Sequence, residues 1–200
     1  MDTTIQESEI KTSYIFINSP RYTLLPNSVF FPADAKKYFN LNFGDLDSNE
    51  RVYFTLNTAF EVSMVFGIKP DVDNFRNSLK QSVVIEHFSN LILKYLKLHI
   101  SPYDPFLIIT PKLVYFALRE ESKLLQLSAG EFDDENDIIY FLMAQLKSIG
   151  GMNFSSIHIC SLNEVDTFSS EEFNLSLKSI KSFADKSIIS IDADKLYSIL

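Results

Sequence analysis

Glycine is the residue this chain does most without: it has 5 in 200 residues, where ordinary usage gives roughly 14. Loops that cradle phosphates rely on glycine, because a backbone without Cβ lets successive N–H groups close on the phosphate oxygens. Such loops are hard to build from this composition. Cysteine is rarer still, with Cys160 alone. A disulfide within the chain is therefore impossible, and a cysteine zinc site lacks its other ligands. Cys160 closes the alternating segment Ser156-Ile157-His158-Ile159-Cys160, which predicts a strand and a small buried thiol rather than a reactive one. No apolar run approaches the ~20 residues of a membrane helix. The start, Met1-Asp2-Thr3-Thr4-Ile5-Gln6-Glu7, is polar and acidic, unlike a signal peptide. Positive charge is also in short supply. The net charge is −8, with 10 basic and 11 acidic residues in 1–100 and 8 basic and 15 acidic in 101–200. A polyanion would be repelled by the second half, and no basic stripe offsets this in the first. The expectation is a cytoplasmic protein with no nucleic-acid partner and no membrane insertion.

What is present is core material: 46% hydrophobic residues, including 18 Phe and 9 Tyr. That is ample for a packed interior. Tyr14-Ile15-Phe16-Ile17 predicts a strand ended by Asn18-Ser19-Pro20, and Tyr22-Thr23-Leu24-Leu25 a second closed by Pro26. Pro32-Ala33-Asp34 opens a short helix through Phe39, proline being harmless at a helix start. Val52 to Leu56 and Glu61 to Phe66 read as paired strands. Helical spacing follows: Val72, Phe75 and Leu79, then Val84, Phe88, Leu91, Tyr95 and Leu98, read as one apolar stripe on a long helix.

Ser101-Pro102-Tyr103-Asp104-Pro105 is the expected boundary between halves, since two prolines this close cannot continue a helix. Three short strands are expected next, Phe106–Ile109, Leu113–Leu118 and Leu124–Leu127, joined by links short enough for hairpins. A helix over Asp134–Ile149 carries Ile138, Leu142, Leu146 and Ile149 on one face. Asp133, Asp134, Glu135 and Asp137 lie at its positive end, and Gly150-Gly151 after it as a cap. Strand Ile157–Leu162 follows. Ser169-Ser170-Glu171-Glu172 reads as a capping box before a helix with Phe173, Leu177, Ile180 and Ala184 on one face. A strand over Ser187–Ile191 and a terminal helix capped by Asp192 or Asp194 complete the chain. Residues 106–191 thus run strand, strand, strand, helix, strand, helix, strand. That is the order of the ribonuclease-H-like lobe shared by nucleases and actin-like ATPases, and it fixes an architecture rather than a function.

The chemistry such lobes host can be weighed directly. A metal nuclease needs several carboxylates converging on divalent ions. The first and fourth strands of the second half contain no acid; Asp104 precedes the first, and Glu164 and Asp166 follow the fourth. An actin-like ATPase needs two hairpins that each pair an aspartate with glycine. Here the turn is Thr110-Pro111-Lys112, which has neither, and proline removes a donor. Gly150-Gly151 resembles a nucleotide-contacting pair but is explained by a helix cap, and Gly130 reads as a turn residue. His87 and His99 fall on the long helix and His158 on a strand, none in a metal pattern. No G-x-S-x-G elbow is present, and Cys160 has no evident base. Phe30-Phe31, Tyr38-Phe39 and Tyr140-Phe141 read as core aromatics before they read as a binding surface.

Tyr22-Thr23-Leu24-Leu25-Pro26, then Phe30-Phe31 and Tyr38-Phe39-Asn40-Leu41-Asn42-Phe43, resembles a bacterial family classed as a domain of unknown function with an actin-like ATPase fold. Val65-Phe66-Gly67-Ile68-Lys69-Pro70, Glu86-His87, Lys123-Leu124-Leu125, Glu131-Phe132 and Asn136-Asp137-Ile138-Ile139-Tyr140-Phe141-Leu142 continue the resemblance in order, over roughly residues 13–162. The resemblance implies an α/β fold of mixed sheets with two actin-like, ribonuclease-H-like lobes. It also implies that the first lobe is shortened at its N-terminus, as in a trimmed member or an incomplete reading frame. The expected division is 1–100 for the first lobe and 101–200 for the second. The expected role is a non-catalytic scaffold or protein-interaction module without phosphate-binding loops. The alternative is a degenerate nucleotide-binding ATPase or sugar-kinase-like enzyme. No catalytic, cofactor-binding or metal residue is assigned; no cofactor is expected, and the expected partner is protein.

Overall fold

The structure, a computed structural model, describes residues 12–47, 49–79, 82–150, 154–162, 170–180, 183 and 185–199. The first half opens with β1 (Ser13–Ile17) and β2 (Tyr22–Pro26). A 3₁₀ turn, Pro32–Asp34, leads into α1 (Ala35–Phe43). The helix thus begins where proline can start one but runs a turn further than the spacing predicted. It stops at Gly44, whose φ of 77° is open to glycine at no steric cost. β3 (Arg51–Asn57) and β4 (Val62–Ile68) form a hairpin, and β2 adds to β4, giving an antiparallel sheet in the order β2-β4-β3. α1 lies on one face of it: Phe39 and Ala35 bury against Phe30 and Val65. Gly67 of β4 makes room, since a Cβ there would sit 3.0 Å from the Phe39 ring.

The long helix expected from Val72 to Leu98 is instead three elements: α2 (Pro70–Ser78), β5 (Val83–His87) and α3 (Phe88–His99). Val83, Val84 and Ile85 are β-branched and favour a strand. They pair in parallel with β1, Val84 opposite Tyr14 and His87 opposite Ile17. The apolar spacing that suggested one helix belongs in part to this strand. On α2 Phe75 is 57% exposed, and on α3 Leu98 is 67% exposed, so neither joins a buried stripe. His87 is accordingly a strand end and the N-cap of α3, not a helix-face residue: its Nδ1 accepts the Ser89 N–H at 3.2 Å.

The second half holds β6 (Phe106–Ile109), β7 (Leu113–Glu120), β8 (Lys123–Glu131), α4 (Glu135–Ser148), β9 (Ser156–Ser161), α5 (Ser170–Ser179), β10 (Ser187–Ile191) and α6 (Ala193–Tyr197). Its sheet order is β10-β9-β6-β7-β8, with the first three strands antiparallel and β9 and β10 parallel to β6. The strand periodicity of two sorts its side chains. Phe106 and Ile108 face a core shared with α3 and α6, while Leu107 and Ile109 face the core under α4 and α5. α3 is buried along most of its length because both sheets reach it: Met64 and Phe66 from one, Tyr115 and Ala117 from the other. Its C-terminus is closed by Arg119 of β7, whose guanidinium donates to the carbonyls of Leu96 and Ile100 at 2.6–3.2 Å, a favourable place for a cation.

α4 begins with a capping box. Asp134 accepts the Asn136 and Asp137 N–H groups, and Asp137 returns a bond to the Asp134 N–H. It ends at Gly150, with φ of 77°; Gly151 lies outside the described residues, as do Ser169 of the expected capping box and Ala184 of the expected helix face. Gly130 is not in a turn. It sits within β8 opposite Val114, because the strand continues past Leu127 to Glu131. A Cβ on it would lie 2.8 Å from the Phe141 ring, so α4 packs on the sheet through the space that glycine leaves.

Candidate functional site

Two turns, one from each half of the chain, meet through the Asn18–Thr110 contact. One follows β1 and runs Asn18-Ser19-Pro20-Arg21 into β2. The other is the β6–β7 hairpin turn, Thr110-Pro111-Lys112. The hairpin is bonded to itself. Thr110 N–H donates to the Leu113 carbonyl at 2.8 Å, and Leu113 N–H donates to Thr110 Oγ1 at 3.1 Å. Pro111 has no N–H. Three of the four turn residues therefore have no backbone donor to offer a phosphate.

The first turn then locks onto the hairpin. Asn18 Nδ2 donates to Thr110 Oγ1 at 3.1 Å, and the Tyr115 hydroxyl donates to Asn18 Oδ1 at 2.7 Å. His87, fully buried, is bonded from Nε2 to the Ser19 carbonyl at 2.9 Å. With Nδ1 accepting from Ser89, this fixes a neutral ring carrying its proton on Nε2. Tyr22 and Phe66 pack their rings against it at 4.6 and 5.3 Å. Burial pushes the His87 pKa down to about 4, opposed by its bond to the Ser19 carbonyl. Burial also holds the Tyr115 and Tyr22 hydroxyls far above the usual phenol range. None of the three is poised to exchange a proton near neutrality. The cluster ties segments together and carries no nucleophile–base pair.

The residues weighed for other chemistry fall elsewhere. Asp104 is buried, and its Oδ1 accepts from Ser155 N–H, Ser155 Oγ and Ser156 N–H at 3.2–3.3 Å, so it anchors the start of β9. His158 Nε2 lies 3.7 Å from Asp104 Oδ2. Burial lowers the His158 pKa, and Asp104 only partly offsets this. Glu164 and Asp166 lie outside the described residues. Among the described residues no three His, Cys, Asp or Glu side chains are grouped to hold a metal ion. Cys160 is buried and its thiol is pushed up to about 11, chiefly by burial, which keeps it protonated and inert. The aromatic pairs divide between interior and surface: Phe30 is buried and Phe31 63% exposed, while Phe141 packs inward and Tyr140 is 76% exposed.

Two cavities lie near the seam. One, of about 510 Å³, is bordered by Phe16, Asn18, Arg21, Glu50 and Val72. Arg21 pairs with Glu50 there at 3.3 Å and lies over the Phe39 ring at 5.2 Å. The other, of about 660 Å³, lies between β2, the β3–β4 turn and the start of β8. Sequence reading named Asn18 and Thr110 only as turn residues and did not connect them, because nothing local signals a contact across 92 positions.

No helix among the described residues is long and apolar enough to cross a membrane. No curated protein matches this chain. A solved structure from Bacteroides thetaiotaomicron VPI-5482, a protein with an actin-like ATPase fold and unknown function, is similar to 89% of this chain and 67% of its own, with a TM-score of 0.70 and 18% identity. At that identity the likeness is one of fold, and the mixed α/β architecture here is the actin-like one. The model of the family described as "Protein of unknown function (DUF3822)" matches residues 3–175, and the chain belongs to that family.

Proposed function

We propose that this protein is a non-catalytic actin-like scaffold that binds another protein. In this reading its two lobes, residues 1–100 and 101–200, are held together rather than opened by a nucleotide. The single observation that carries the reading is the β6–β7 hairpin. Thr110 and Leu113 satisfy each other, Pro111 has no N–H, and Asn18 fills the remaining side-chain position on Thr110. A phosphate bound there would have to break those bonds and bury its charge beside Ile109 and Leu113, at several kcal/mol of cost. The acidic second half supports a partner other than nucleic acid. The buried, protonated Cys160 suits a reducing cytoplasm but does not require one.

The test is a thermal-shift measurement with ATP and magnesium. A ligand that binds the folded state at a hundredfold excess over its Kd stabilises by about 2.7 kcal/mol and raises the melting temperature by several degrees. The scaffold reading expects no shift. A shift of several degrees, lost on changing Gly150 to a bulky residue, establishes the alternative, a degenerate nucleotide-binding enzyme.

A further inference from the structure

We propose that the 510 Å³ cavity between β1, α1 and the start of α2 binds a free α-amino acid with an apolar side chain. The proposal goes beyond the scaffold reading and does not depend on it, since it concerns a small-molecule site in the first half of the chain. The volume lies within the range of small-molecule sites. Phe16, Ile17, Phe39, Ile68 and Val72 give the cavity apolar walls, and Arg21, Glu50 and Lys69 are the charged residues that border it. Apolar walls with a few convergent polar groups are the usual form of such a site.

The polar part of the cavity is an ion pair with bonding capacity left over on both sides. The Glu50 side chain is 8% exposed, and its Oε1 accepts from Arg21 Nη1 at 3.3 Å. Its other oxygen, Oε2, is buried and has no hydrogen-bond partner among the described residues. A buried acceptor without a donor is costly and uncommon in folded proteins. The Arg21 side chain is 39% exposed and uses Nη1 on Glu50, which leaves Nε and Nη2 without a hydrogen-bond partner among the described residues. The guanidinium lies over the Phe39 and Phe43 rings at 5.2 and 6.0 Å, so the cation is held against the same apolar wall. Lys69 brings a second, exposed cation to the border.

These unused groups are one anionic acceptor and several cationic donors, side by side. They select a ligand that carries both signs of charge. A lone carboxylate would meet the buried charge of Glu50, and a lone amine would meet Arg21 and Lys69; like charges brought together in this way oppose binding. A zwitterion answers both, with its ammonium on Glu50 Oε2 and its carboxylate on Arg21 and Lys69. In an α-amino acid the two charges hang from one carbon, so their partners must be neighbours, as Glu50 and Arg21 are. Both contacts are charge-assisted hydrogen bonds, roughly twice as strong as neutral ones. The ligand's side chain is left for the apolar walls, where burial adds affinity.

Asn18 and Ser19 border the same cavity, and Asn18 is the residue bonded to Thr110 in the second half. A ligand that binds the folded state stabilises it. Occupancy of the cavity therefore strengthens the turn that joins the two halves, and no chemical step at the ligand is implied.

The experiment is titration calorimetry of the full chain at neutral pH with L-phenylalanine and L-leucine. Each is compared with its analogue lacking the ammonium (hydrocinnamate, isocaproate) and its analogue lacking the carboxylate (phenethylamine, isoamylamine). At least one amino acid binds at a single site, and both of its analogues bind about tenfold more weakly or worse. Glu50→Gln weakens the amino acid by about tenfold or more. Lys69→Ala, a change at an exposed position, weakens it by about two- to fivefold. If Glu50→Gln does not fold, the analogues and Lys69→Ala give the answer. The proposal is overturned if neither amino acid gives saturable heat at about 10 mM, if an analogue binds as tightly as its parent amino acid, or if the affinity is unchanged in the folded variants. ATP titration reports on the hairpin and not on this cavity, so the scaffold reading and this one can fail separately.

Discussion

Asn18 and Thr110 stand 92 residues apart in the chain and 3.1 Å apart in the fold, side chain to side chain. Tyr115 completes the link by donating its hydroxyl to the Asn18 carbonyl oxygen at 2.7 Å. Tyr115 is fully buried but its acceptor Asn18 is exposed, so water can replace the lost donor and the bond contributes about 0.5–1.5 kcal/mol. Tyr115→Phe is therefore expected to lose that much stability in urea unfolding. In a double-mutant cycle with Asn18→Ala, the two changes should couple by about 0.5–3 kcal/mol. Additive losses would mean that the seam is not a bonded unit.

His87 gives the seam a pH dependence of definite sign. Its folded pKa, about 4, lies below the ordinary 6.5 because burial penalises the charged ring. The unfolded chain thus binds a proton that the folded chain refuses between those values. The stabilisation is present above pH 6.5 and is lost as pH falls toward 4, by about 3 kcal/mol in all. Unfolding free energies measured from pH 7 to pH 4 should show that loss, and the slope should be shallower in His87→Gln. A variant whose profile parallels the parent's would remove His87 from the account.

Gly130→Ala should destabilise by about 1–3 kcal/mol, as overpacked core sites do. The new Cβ would lie 2.8 Å from the Phe141 ring. Phe141→Leu in the same chain should restore much of the loss. A neutral Gly130→Ala would show that α4 can ride higher on the sheet without penalty.

Asp104→Ala should act on folding and not on catalysis. Its buried carboxylate accepts from the N–H groups of Ser155 and Ser156 beside β9, and hydrogen bonds to a charged group contribute about 1.5–3 kcal/mol. The melting temperature should fall by several degrees. Manganese-dependent cleavage of DNA or RNA by the parent protein, abolished in this variant, would make Asp104 a metal ligand instead.

Much of this fold was legible because local signals agreed with global demands. Phe106–Ile109 and Leu113–Leu118 are apolar on both faces, as strands covered by helices on both sides must be. The acids at the start of α4 and the glycine at its end mark that helix at both termini. The strand β5 was hidden because Val84, Phe88 and Leu91 happen to fall at helical spacing. The competing signal, three β-branched residues at 83–85, was local and short. Gly130 misled for a related reason: glycine marks turns more often than close approaches, and only the position of Phe141 distinguishes the two. The seam could not be read at all. Asn18 and Thr110 are ordinary turn residues until two separate strands bring their ends together.

The most direct test of the scaffold account is titration calorimetry of the full chain with ATP and magnesium at neutral pH. The account predicts no saturable heat in the parent protein, because Pro111 has no N–H to offer and the Asn18 contact on Thr110 closes the turn. A single-site isotherm in the parent, weakened by substitutions at Thr110 or Asn18, would contradict it and make the seam a nucleotide site.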